Sequence, residues 1–190
     1  ETAWATPGHV CLCSYSYGHK AVLPQANPSV FTEAVKLWSR VASLLTPWCA
    51  LGEVPTGVNL NRYSGRGSRC PWHCDNEPLF GSPDEPKVIV SMSLGHSVLF
   101  KLRRRNSWNE ETEIRLAHGD LLVMDGLTQS EFQHSTDSEL LGPRVNLTYR
   151  WISQHIESCP LADSIGGALP SDAQDLAEPH SCGRGAGKWK

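Results

Sequence analysis

The sequence predicts a mostly β fold, an antiparallel sandwich or barrel with one flanking helix, and three observations lead there. Short segments in which apolar and polar residues alternate recur from Val58 onward, separated by Gly, Pro and Asp. One segment ahead of them, between Asn27 and Pro47, carries the helical period instead. The length, 190 residues, suits a single domain able to bury a core, and 39% apolar with 19% charged residues is ordinary globular usage. That composition excludes a coiled coil, a collagen-like chain and a wholly disordered one.

Taken in order, residues 1–27 read as irregular, with Cys11 to Tyr17 alternating enough for a short strand. Asn27-Pro28-Ser29 opens the helix: Asn or Ser can cap it and Pro suits the first turn. Val30, Ala34, Leu37, Val41 and Leu44 or Leu45 form its apolar stripe, Trp38 falls beside that stripe, and Pro47 ends it. Strands are expected at 58–63, 87–94, 97–103, 112–116, 120–124, 131–135 and 144–152. His118-Gly119-Asp120 reads as a polar turn entering the apolar run Leu121 to Met124, Trp151 as a core residue and Trp108 as a loop residue. Trp4 and Trp48 are packing residues before they are stacking platforms. Beyond about Cys159 the periodicity ends, and 163–190 read as a disordered or loosely docked tail.

The net charge of −3 argues against a dedicated polyanion binder. Lys101, Arg103, Arg104 and Arg105 form one dense basic cluster, either a phosphate-binding strand end or a solvated hairpin, and Arg62, Arg66 and Arg69 could extend it. No apolar run approaches the roughly 20 residues that span a bilayer. The start lacks both Met and a signal-peptide pattern, as in an excised or processed piece. Seven irregularly spaced cysteines are expected as free thiols in a reducing, intracellular compartment, cytoplasmic or nuclear, rather than as a secreted disulfide framework. Cys11-x-Cys13 has no second pair at zinc-finger spacing and reads as two half-buried thiols on a strand.

The chemistry concentrates in Trp72-His73-Cys74-Asp75 and His134. On an extended strand His73 and Asp75 share a face, and a second His from a distant strand would complete two histidines and a carboxylate. That facial set suits Fe(II) with open positions. Zinc fits the same ligands but lacks an evident general base, and His-x-Asp by itself also describes a solvated strand end. Arg144, Asn146, Thr148 and Arg150 share one face of a strand whose other face is Val145, Leu147 and Tyr149. Two arginines directed into a β core are costly unless an anion meets them, and guanidinium forks bind a carboxylate in bidentate fashion. The bland alternative is a strand with a polar outer face. Asn61 and Tyr63 offer further hydrogen bonds from one face.

Together, Asn61-x-Tyr63, His73-x-Asp75, Gly119 to Met124, Gln133-His134 and Arg144-x-Asn146-x-Thr148-x-Arg150 resemble the AlkB family of Fe(II)/2-oxoglutarate dioxygenases over roughly residues 10–156. The resemblance implies a double-stranded β-helix (jelly-roll) core at 58–156, behind a nucleotide-lid and helix segment at 1–57, in a domain of residues 1–162. It implies iron on His73, Asp75 and His134, and 2-oxoglutarate on Arg144, Asn61, Tyr63 and Asn146 with Arg150 near its metal-bound end. Substrate contacts are expected from Glu77 and Tyr15, with Arg69 beside them. The implied reaction consumes O₂ and demethylates N-alkylated bases of single-stranded RNA or DNA, releasing formaldehyde, succinate and CO₂. A protein or small-molecule substrate for the same chemistry, and a non-catalytic β-sandwich binding module, are the rival readings. No membrane association or protein partner is expected. Cys74, pointing away from the ligand face, is expected not to bind metal but to be open to oxidation, and Asn76 stands where relatives often have Asp.

Overall fold

A computed structural model describes residues 1–7, 10–17, 20–45, 54–65, 67–107, 109–137, 142–164 and 168–169. The chain runs β1 (Thr2–Ala5), β2 (Tyr15–Tyr17), β3 (Lys20–Val22), α1 (Pro28–Leu45), β4 (Gly57–Tyr63) and β5 (Cys70–His73). It continues through β6 (Ile89–Gly95), β7 (Val98–Arg104), β8 (Glu111–Leu116), β9 (Leu121–Met124), α2 (Thr128–Glu131) and β10 (Phe132–Thr136). β11 (Arg144–Arg150), β12 (His155–Ile156) and β13 (Ala168–Leu169) complete it.

Two antiparallel sheets form the core, ordered β1-β4-β11-β6-β9 and β5-β10-β7-β8. Strands distant in sequence lie side by side in both, and the fold is the expected jelly roll with a flanking helix. Ile89, Val98, Phe100, Leu116 and Met124 fill the space between the sheets. The five-stranded sheet has a second apolar face, against which α1 lays Ala34, Trp38, Val41 and Leu45 onto Val58, Val90, Leu147 and Tyr149. The strand alternation sets both faces at once: the odd-numbered residues of β11 meet the helix while Arg144, Asn146, Thr148 and Arg150 turn inward.

α1 begins as expected. Asn27 Oδ1 accepts the backbone N–H of Ser29 at 3.1 Å, and Pro28 takes the first helical position, where a missing N–H costs nothing. The apolar stripe is corrected by one residue. Trp38 is buried at its centre, 5.0 Å from the ring of Tyr149 and 5.5 Å from that of half-buried Trp151, whereas Leu44 is 66% exposed. Pro47 and Trp48, like Trp108, lie outside the described residues.

The turn at His118-Gly119-Asp120 is as expected: Gly119 takes φ 89°, and Asp120 accepts the N–H of Ala117 at 2.7 Å. The N-terminal region differs from expectation. Thr2–Ala5 pairs with β4 as an edge strand, and Trp4, fully buried, approaches Gly57 so closely that a Cβ there would overlap its ring. Only Tyr15–Tyr17 of the expected 11–17 strand is extended into a ladder, paired with Lys20–Val22. Within the expected tail, Ala168–Leu169 pairs in parallel with His155–Ile156, and most of the remainder lies outside the described residues. No helix among the described residues is long and apolar enough to cross a membrane.

Candidate metal centre and anion pocket

His73 ends β5 and sits directly opposite His134 on the neighbouring β10. Their rings are 4.1 Å apart between centroids. Asp75 lies just past the strand end, where its backbone N–H is caught by Gln129 Oε1 at 2.8 Å, so the carboxylate turns back toward both rings. One Asp75 oxygen is 3.6 Å from His73 Nε2 and the other 3.8 Å from His134 Nε2. One donor atom from each of the three residues falls within 4.8 Å of the others, a spacing that can hold a metal ion. Buried Gln129 is the positioning residue that the sequence reading missed; its signal would have been an amide on the turn preceding the His134 strand.

Second contacts fix each ring. His73 Nδ1 lies 2.7 Å from the carbonyl of Pro71, which as an acceptor fixes the proton there and leaves Nε2 for a metal. Phe100 stacks on His134 with centroids 5.4 Å apart. Arg150, buried, donates to Asp75 at 2.9 Å and to Glu77 at 3.1 Å, and its Nη2 lies 3.4 Å from the hydroxyl of Tyr15. Arg150 therefore braces the Asp75 carboxylate from behind.

The electrostatics follow. Burial pushes His73 down, but the Cys70 thiol, Asp75 and the Pro71 carbonyl outweigh it and raise the ring to about 10. Burial and the neighbouring His73 charge push His134 down to about 3. Burial would raise Asp75, yet Arg150 and the two histidines hold it below the usual carboxylate range. Burial raises Glu77. At neutral pH His73 is thus the imidazolium and His134 the neutral ring, and a metal ion must displace the proton on His73 Nε2. We expect Mn(II), an oxygen- and nitrogen-seeking probe, to release about one proton on binding at pH 7.5, with affinity rising about tenfold per pH unit as pH climbs toward 9 and falling as it drops. Calorimetry in buffers of different ionisation enthalpy measures this, and proton-neutral binding would show that His73 is not displaced.

The cavity beside these residues is walled by the inward faces of β4, β6 and β11 and includes Tyr15, Asn61, Tyr63, Arg144 and Asn146. Arg144 is 3% exposed and donates to Ser93 Oγ at 2.9 Å and Asn146 Oδ1 at 2.7 Å, while its Nε has no partner. Its guanidinium lies over the ring of Tyr63 at 5.3 Å. No carboxylate among the described residues pairs with it, and burial lowers its pKa, as for a cation whose counterion is missing. Arg144 and Asn146 thus line the same cavity as the two histidines and Asp75.

The remaining expected residues divide. Tyr15 lines the cavity; Glu77 does not, being engaged with Arg150. Arg69 is exposed and stands outside the cavity wall. The basic cluster is laced to nearby acids: Lys101 to Glu113 and Asp137, Arg103 to Glu111, Arg104 to Glu131. Arg103 also stacks on Trp72 at 3.9 Å, and Arg105 donates to the carbonyl of Ser130 at 3.1 Å. Cys74 is buried and is disulfide-bonded, which corrects the reading of free thiols at that position. Cys11, Cys13, Cys70 and Cys159 are free.

Comparison with known proteins bears on the same residues. A family model described as the 2OG-Fe(II) oxygenase superfamily matches residues 2–150. The mouse protein named alpha-ketoglutarate-dependent dioxygenase alkB homolog 3 is 36% identical over 102 residues, covering 48% of this chain and 35% of that protein. An Arabidopsis thaliana DNA oxidative demethylase, ALKBH2, is 32% identical over 117 residues, covering 49% of this chain and 36% of that protein. A solved structure titled "The structure of OsALKBH1" is 23% identical with a TM-score of 0.46, covering 69% of this chain and 66% of that one. The chain spans little more than a third of the length of these curated relatives.

Proposed function

The chain belongs to the 2OG-Fe(II) oxygenase superfamily, and from that premise we propose that it is an oxidative demethylase of N-alkylated bases in single-stranded RNA or DNA. One observation supports this reading above the others: a two-histidine, one-carboxylate group and a buried guanidinium with no carboxylate partner among the described residues face one cavity. The first suits a metal with open positions and the second suits the far end of a dicarboxylate. Relatives named for oxidative demethylation add the substrate class.

His73, Asp75 and His134 would hold the iron, and both the donor set and its convergence fit that ion. Bound Fe(II) with 2-oxoglutarate and O₂ would supply the oxidation that hydroxylates an N-methyl carbon, after which formaldehyde leaves the base and the co-substrate ends as succinate and CO₂. The chain's own residues do the positioning. Arg144 receives the distal carboxylate, and Asn61, Tyr63 and Asn146 satisfy its remaining oxygens. Arg150 holds Asp75 in its ligating rotamer and Glu77 beside it. Tyr15, buried in the cavity wall beside Arg150, meets the substrate, and Phe100, Leu116 and Met124 supply the apolar part of that wall.

The test is a panel of single- and double-stranded oligonucleotides carrying 1-methyladenine or other N-methyl bases, incubated with Fe(II) and 2-oxoglutarate and read by mass spectrometry. We expect mass loss of one methylene per lesion with matching formaldehyde, greatest on single strands because no base need be flipped from a duplex. Succinate formation without demethylation would move the substrate to a protein or small molecule. Neither iron binding nor succinate would leave a binding module.

A further inference from the structure

A second cluster of metal-ligand side chains lies outside the cavity. Cys11 and Cys13 precede β2, His155 opens β12, and Cys159 follows one turn later, so that segments more than 140 residues apart meet at one point. All four side chains are buried, Cys13 and His155 completely and Cys11 and Cys159 to within 3% exposure. The Nδ1 atom of His155 is 3.3 Å from the sulfur of Cys13, 3.3 Å from that of Cys159 and 3.7 Å from that of Cys11. One donor atom from each residue lies within 4.8 Å of all the others.

These distances suit a tetrahedral ion. With sulfur at about 2.3 Å and nitrogen at about 2.0 Å from a zinc centre, tetrahedral angles separate sulfur from nitrogen by about 3.5 Å, which the structure already shows. Three thiols and an imidazole form a soft donor set that selects zinc over the harder ions suited to carboxylates. Four groups able to ligate, withdrawn from water and aimed at one point, are hard to explain by packing alone. Buried thiols ordinarily behave as small apolar side chains and need no imidazole at their centre.

We propose that Cys11, Cys13, His155 and Cys159 form a structural zinc site distinct from the His73–Asp75–His134 group. The pattern is Cys-x-Cys from one segment and His-x₃-Cys from another, a closed four-ligand set with no position left for a substrate. Its place in the fold gives it a task. Tyr15 follows Cys13 by two residues and stacks on Trp4 at 5.4 Å, and Trp4 donates its indole N–H to the carbonyl of Cys13 at 2.9 Å. An ion here ties the segment that carries Tyr15 to the chain leaving β11. It closes a very long loop, where a cross-link removes the most entropy from the unfolded chain. Among the described residues this is the one tie of that kind between the short β2–β3 hairpin and the C-terminal segment.

The experiment measures metal in the full chain purified without added zinc, beside a His73→Ala variant that disables the other group. About one zinc per chain is expected in both, with an X-ray absorption shell of three sulfurs at about 2.3 Å and one nitrogen at about 2.0 Å. Cobalt exchanged for it should give the thiolate-to-metal charge-transfer band and visible spectrum of a tetrahedral site. Cys159→Ser should lose the zinc and lower the melting temperature. Should that variant fail to fold, the absorption shell and cobalt spectrum of the unaltered chain decide the matter. Zinc-free protein with these cysteines reduced or disulfide-bonded, a shell of nitrogen and oxygen alone, or zinc lost from the His73→Ala chain would each overturn the proposal. None of these readouts involves turnover, so they are independent of whether the chain demethylates nucleic acid.

Discussion

Replacing Asp75 by Asn should abolish turnover while leaving the fold in place; replacing it by Ala should do both kinds of damage. Asp75 has two partners of different kinds, the imidazole pair in front and the Arg150 guanidinium behind at 2.9 Å. Asn keeps the volume and a hydrogen-bond acceptor but loses the charge a cation needs. Loss of an outer-shell partner of a metal already costs 10–100-fold, so removing the ligand itself should lower succinate formation by more than about 100-fold. Both variants remove the charge opposite Arg150, but Asn still offers that buried guanidinium an acceptor whereas Ala leaves the side unfilled, and breaking a buried ion pair outright costs about 3 kcal/mol. Chemical denaturation should therefore separate Asp75→Ala from Asp75→Asn, and an Asp75→Ala, Arg150→Met double variant should recover stability without recovering activity. An Asp75→Asn protein that turns over within tenfold of the parent would remove Asp75 from the ligand set.

Arg144→Met should produce the opposite combination: a large kinetic defect and no loss of stability. Its Nε is unpartnered and no carboxylate of the described residues faces it, so the fold holds this buried cation on neutral partners, Ser93 and Asn146. A methionine of similar length relieves that cost, and the melting temperature should hold or rise. A hydrogen bond to a charged group contributes about 1.5–3 kcal/mol, so losing the fork should raise KM for 2-oxoglutarate by about 10–150-fold with a smaller effect on kcat. Saturation kinetics in co-substrate measure this. An unchanged KM would mean that the anion is received elsewhere, and a sharp fall in melting temperature would mean that Arg144 is structural.

The barrel strands and the chemistry-bearing residues were legible because they share one physical signal. Where a strand has a buried face and a face of another character, the period of two is strong, as in Val58 to Tyr63 and Arg144 to Arg150. The histidines and Asp75 could be read from spacing and resemblance together, and the structure brings them within reach of one another. What escaped depends on partners that sequence does not display. Thr2–Ala5 is a strand because β4 offers an open edge, not because of its own alternation. Trp38 enters the core because Tyr149 and Trp151 leave room for it. Gln129 matters through a backbone amide 54 residues away. Cys11-x-Cys13 looked like two ordinary thiols because its complement, His155 and Cys159, lies at the other end of the domain. Glu77 and Tyr15 were named by resemblance and Arg69 from the basic residues before the metal strand, and of these only Tyr15 reaches the cavity wall.

The two-faced character of β11 has a further consequence. Its outward residues hold the helix and its inward residues face the anion cavity, alternating without interruption from Arg144 to Arg150. A slip of one position against β4 and β6 would push both guanidiniums beneath α1 and thrust Val145, Leu147 and Tyr149 into the polar interior. No misaligned pairing can therefore be nearly right, and correct assembly of the sheet is inseparable from forming the polar wall of the cavity.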